Sequence, residues 1–95
     1  MTLEEMMKFK GNANELEHYQ ELLKNRDRLL KSIQNLSDKI QDEEDSISVF
    51  DGELDERQLE QFKKHVATRK ELVGKRATKQ GLYELTMKQI FELQK

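Results

Sequence analysis

The feature that most restricts this chain is the complete absence of proline from 95 residues, combined with two stretches in which apolar residues recur on a heptad. Proline is the residue best able to interrupt a helix, at ~3 kcal/mol or more in a helix interior. From Asn14 to about Gln41, one position of the heptad is filled by Tyr19, Arg26, Ile33 and Ile40, and the position three further on by Leu22, Leu29 and Leu36. Leu16, Leu23 and Leu30 widen that stripe. The spacing predicts an amphipathic helix of about 28 residues and about 42 Å. From Asp55 to about Leu93 the pattern returns, with Leu59, Val66, Val73, Gln80 and Met87 in one row and Phe62, Arg69, Arg76, Tyr83 and Ile90 in the other. A second long helix is predicted.

The boundaries carry their own signals. Thr2 with Glu5 three residues later reads as a capping box for a short helix over about 2–10, and Gly11 is suited to the left-handed conformation that ends it. Asn14 with Glu17 predicts the start of the second helix, about 14–43, and Asp55 with Gln58 the start of the third, about 55–93. Between them, residues 45–54 hold Ser46, Ser48, Asp51 and Gly52, the only strong turn cluster, so the chain is expected to reverse there. Folding back at that point pairs residues whose numbers add to about 99, setting Ile40 against Leu59, Ile33 against Val66 and Leu16 against Tyr83. The fold class expected is therefore all-α: a single domain, 1–95, forming a long antiparallel, coiled-coil-like helical hairpin with a short N-terminal helix, folding fast because its contacts are local.

Composition says where such a hairpin is incomplete. With 35% hydrophobic and 38% charged residues, a chain this short buries little core, and helices packed along one stripe need further cover. Dimerisation into a helical bundle is the expected completion. The surplus apolar surface gathers near the C-terminal end, where Leu82, Leu85, Phe91 and Leu93 surround the helix instead of forming one stripe, and Met6, Met7 and Phe9 of the first helix are the local candidates to cover it. These seven residues are the candidate partner or oligomer surface, methionine being an adaptable contact. Ala67, Gly74 and Gly81 recur every seven residues, and interior glycines each cost a helix about 1 kcal/mol relative to alanine. They are candidates for close packing of a crossing helix.

The net charge of −2 conceals a separation along the sequence. Asp42, Glu43, Glu44, Asp45, Asp51 and Glu53, with Asp55 and Glu56, form an acidic tip at the expected bend, free of any basic residue. Their order does not match an EF-hand calcium loop, so no metal site is expected. Ile47, Val49 and Phe50 inside the acidic stretch are expected to fold back as a cap. Lys24, Arg28 and Lys31 fall opposite Arg69, Lys70, Lys75 and Arg76 under the same pairing, a basic girdle that could meet phosphates or an acidic protein surface. No aromatic residues are interleaved with it, which weighs against single-stranded nucleic acid. Arg26, Arg69 and Arg76 sit on core rows and must each reach a carboxylate, solvent or a partner; a register-setting role is the favoured expectation.

Catalytic chemistry has no visible foothold. The chain has no cysteine, its four glycines are dispersed, and His18 and His65, both expected at the surface, are too far apart in the hairpin to share a metal or a proton. No enzyme activity and no cofactor are expected. No apolar run approaches the roughly 20 residues that cross a bilayer, and no signal-peptide core is present, so no membrane partner and a cytoplasmic location are expected. The functional expectation is a non-enzymatic protein–protein interaction module: a small adaptor, regulator or inhibitor, acting as a homodimer and binding another protein. The alternatives are a nucleic-acid accessory using the basic girdle and a structural subunit of an assembly. In outline the hairpin resembles helical-hairpin chaperones and adaptors such as prefoldin-type subunits in general character. The β-hairpin inserts of that group are not evident at the bend, and no residue role follows from the likeness.

Overall fold

Thr2 opens the first helix by the expected chemistry. In the computed structural model, which describes residues 1–95, its hydroxyl accepts from the Glu5 backbone N–H while the Glu5 carboxylate accepts from the Thr2 N–H, both at 3.2 Å. The helix, α1, is Leu3–Lys8, and Phe9 ends it in an extended conformation. Gly11 is not the left-handed stop that the sequence suggests, since the only positive-φ glycine is Gly52 at 72°. Gly11 answers a spatial need instead. A Cβ there would lie 2.6 and 2.7 Å from carbons of the Phe9 ring.

The second helix, α2, is Ala13–Ser48, and the third, α3, is Glu56–Glu92. The start of α2 lies two residues earlier than Asn14 and Glu17 implied, because Asn12 and Glu15 form the capping box (Glu15 N–H to Asn12 Oδ1 at 3.0 Å, Asn12 N–H to Glu15 Oε1 at 3.2 Å). Asp55 and Gln58 cap α3 as expected, the Gln58 N–H reaching Asp55 Oδ1 at 2.8 Å. The fold is all-α, a helical hairpin of α2 and α3 preceded by α1.

The reversal falls later than the turn cluster suggests. Asp42–Asp45 are helical, α2 continues to Ser48, and residues 49–55 make the connection, with Gly52 supplying the positive φ. The pairing moves accordingly: Glu43 meets His65, Glu44 meets Arg69 and Ser37 meets Arg76, numbers adding to 108, 113 and 113. These sums exceed the expected 99 by 9 to 14, between one and two heptads. Leu59 and Val66 are consequently exposed instead of facing Ile40 and Ile33.

Contacts divide the chain into two units, Met1–Ser32 with Lys79–Lys95 and Ile33–Thr78, so α2 and α3 each contribute a segment to both. The first unit holds the better core: Tyr19, Leu22, Leu23 and Ile90 are buried, with Phe9, Leu16, Met87 and Leu93 packed against them. In the second, Ile40 is the buried apolar residue, supported by half-buried Ile33, Leu36, Ile47, Phe50, Phe62, Leu72 and Val73. Phe50 does fold back as a cap, its ring edge-on to Phe62 at 5.7 Å, whereas Val49 points to solvent.

Candidate interaction surfaces

In the first unit, α1 and its linker are strapped across α2 and the end of α3. The Phe9 ring stacks on Tyr19 with centroids 4.8 Å apart. The Tyr19 hydroxyl donates to the Glu5 carbonyl at 2.8 Å and accepts from Gln94 Nε2 at 3.0 Å, and the Lys10 N–H donates to the Leu93 carbonyl at 2.7 Å. Arg26 reaches Glu5 through Nη2 at 2.8 Å and its neighbour Asp27 through Nε at 3.0 Å. The Arg26 guanidinium and the Thr2 N–H hold the Glu5 carboxyl below the usual carboxylate range. Burial pulls the Arg26 guanidinium down, but its bonds to Glu5 and Asp27 outweigh that and leave it raised. Phe9 and Leu93, expected on a partner surface, are thus committed to this strap.

The other five residues of that expected surface face solvent in the same unit: Met6, Met7, Leu82, Leu85 and Phe91, together with Leu3. Met7 is 71% and Leu85 55% exposed, so α1 does not cover the C-terminal surplus; it adds exposed apolar side chains of its own. A shallow depression beside Leu85 is lined by Gly81, Glu84 and Lys88. Beyond the helix's own neighbouring backbone, no atom lies within 4 Å of where a Cβ would stand on Gly74 or Gly81, so no other segment of this chain packs closely on these two glycines.

The acidic tip is divided by its partners. Glu43 bonds to His65 Nδ1 at 2.7 Å and Glu44 to Arg69 at 2.8 Å, so two of its carboxylates tie α2 to α3. Asp45 accepts from Gln41, while Asp42, Asp51 and Glu53 are exposed. His65 is half-buried against Glu43 and Phe50, not at the surface as expected, whereas His18 is exposed. Of the basic residues, Lys24, Arg28 and Lys31 belong to the first unit and Arg69, Lys70, Lys75 and Arg76 to the second, where Arg69 reaches Glu44 and Arg76 reaches Ser37. Lys24 pairs with Glu21 and Lys75 with Glu71 on their own helices.

Each arginine on a core row finds an oxygen: Arg26 at Glu5, Arg69 at Glu44, Arg76 at the Ser37 hydroxyl at 3.3 Å. No buried side-chain polar atom lacks a partner. No group of three His, Cys, Asp or Glu side chains is arranged to hold a metal ion, and no helix is long and apolar enough to cross a membrane. Sequence reasoning placed Arg26 on a core row and Glu5 in a cap without linking them; the link depends on where the linker returns, which no local signal encodes. Comparison with protein-family models, with curated proteins and with solved structures finds no match.

Proposed function

We propose that this chain is a non-enzymatic protein–protein interaction module, a small adaptor, regulator or inhibitor that works as a homodimer in the cytoplasm and engages another protein through the exposed apolar side chains of its first unit. One observation carries the reading. Leu3, Met6, Met7, Leu82, Leu85 and Phe91 are exposed in a unit whose buried core consists of only Tyr19, Leu22, Leu23 and Ile90. Exposed apolar side chains at that density mark surfaces that other chains cover. The pairing of Lys24, Arg26, Arg69 and Lys75 with carboxylates favours a protein partner over nucleic acid.

The test is sedimentation of the wild-type chain beside Leu85→Glu and Phe91→Glu over a concentration series. A dimer that dissociates in the variants, with helical content retained and the melting temperature lowered toward that of the dilute wild-type chain, supports the reading. A wild-type chain that stays monomeric up to about 100 μM would remove the self-association part of it.

A further inference from the structure

The strap formed by α1 and its linker meets the first unit through contacts that any copy of this chain could supply. We propose that residues 1–11 exchange between two copies, so that Glu5 and Phe9 of one copy occupy the seat made by Tyr19, Arg26 and Leu93 of the other. The proposal rests on the self-association reading above and specifies how the copies join.

Three observations carry it. First, the seat is built for this segment: a guanidinium for the Glu5 carboxylate, the Tyr19 hydroxyl for the Glu5 carbonyl, the Tyr19 ring for Phe9 and the Leu93 carbonyl for the Lys10 N–H. Second, the helices on either side of the linker are capped independently. Thr2 and Glu5 close α1, Asn12 and Glu15 close α2, and neither capping box depends on the backbone direction at Gly11. Phe9 and Lys10 travel with the exchanged segment, so Gly11 is the hinge, and it can turn without loss of helix, which is what makes exchange of an element a low-cost route to a dimer. Third, the closed strap leaves Leu3, Met6 and Met7 exposed in the unit where Leu82, Leu85 and Phe91 are also exposed. Exchange keeps every seat contact and brings a second apolar surface alongside, so burial of these side chains offsets the entropy of association.

Charge reversal tests the exchange. In Glu5→Arg the strap and seat both carry arginine, and in Arg26→Glu both carry carboxylates, so neither variant satisfies its seat alone. Mixed, each strap matches the other copy's seat. Native mass spectrometry of the mixture should show heterodimer exceeding either homodimer by about tenfold, against about twofold for random pairing. Random pairing with dimers still formed overturns the exchange and leaves the self-association reading standing; absence of any dimer, wild type included, overturns both. The double variant Glu5→Arg/Arg26→Glu, with strap and seat matched again, should homodimerise like the wild type, and its failure to do so while folded overturns the exchange.

If the single variants do not fold, Gly11→Ala gives a separate measurement. The added methyl has no room beside the stacked Phe9 ring in the closed strap, so the dimer share should rise. An unchanged or lower dimer share overturns the proposal.

Discussion

Phe9 and Tyr19 lie ring on ring, their planes 20° apart, and this stack is where the short first helix joins the core of the first unit. Tyr19 is fully buried, yet its hydroxyl is satisfied from both sides, by the Glu5 carbonyl and by Gln94. Tyr19→Phe keeps the stack and strands two polar groups. It should cost about 1–3 kcal/mol in chemical denaturation and raise hydrogen exchange at the Glu5–Lys10 amides. Unchanged exchange there would show that the ring alone holds the strap.

Ile90 is the most buried aliphatic residue, at 1% exposure, and packs on Tyr19, Leu22 and Leu23. Ile90→Ala should destabilise the chain by about 2–5 kcal/mol, whereas Leu85→Ala on the exposed face should stay within about 0.5 kcal/mol. Thermal melts of the two variants side by side measure the contrast.

Gly74 and Gly81 have open space around their missing side chains. Alanine at either should therefore stabilise the isolated chain by about 1 kcal/mol through helix propensity. If a partner backbone crosses this stripe, the same substitutions should weaken association while raising the melting temperature, a split that sedimentation and calorimetry together resolve.

Acidification should loosen the strap. The Glu5 carboxyl is held low in the folded chain, so its contribution to stability is fully present above the ordinary carboxylate range and is lost as the pH falls through the depressed folded value. The difference in stability between wild type and Glu5→Gln should accordingly be largest near neutrality and vanish in strong acid. A difference that does not change with pH would mean that the Arg26 contact acts through packing alone.

Arg69→Leu/Arg76→Leu removes the bonds to Glu44 and Ser37 that fix where α3 lies along α2 in the second unit. The expected result is a more stable but less uniquely paired helix pair, with broadened or doubled amide resonances around residues 33–48. A single sharp spectrum, with oligomeric state and melting unchanged, would show that these arginines do not set register.

Helices, the N-terminal caps of α1 and α3 and the inward row of α2 were legible from the sequence because they depend on residues three or four apart: Thr2 with Glu5, Asp55 with Gln58, Tyr19 with Leu22. The position of the reversal was not. Four consecutive acids at Asp42–Asp45 oppose the helix dipole and read locally as an ending, but Glu43 bonds to His65 and Glu44 pairs with Arg69 of α3, and the helix continues. The inward face of α3 was half legible. Phe62, Arg76, Tyr83 and Ile90 of one row and Val73 and Met87 of the other are buried or half-buried as spaced, whereas Arg69, Leu59, Val66 and Gln80 are exposed and His65, Leu72 and Thr86 are half-buried beside the second row. The candidate interaction surface was legible as composition, a surplus of apolar residues from Leu82 to Leu93. Which of them stay outside depended on the strap, whose course is set by the space beside Gly11 and the reach of Arg26.

The displacement of the helix pairing by between one and two heptads has a consequence for how the hairpin knows its own length. Apolar side chains that recur every seven residues give a sliding helix the same grip at every step, like teeth on a rack. The polar contacts of the second unit, Glu43 with His65, Glu44 with Arg69 and Ser37 with Arg76, occur once each and cannot all be re-formed one step along. The greasy rows supply the force that closes the hairpin, and those few charged and hydroxyl groups are the ruler that tells it where to stop.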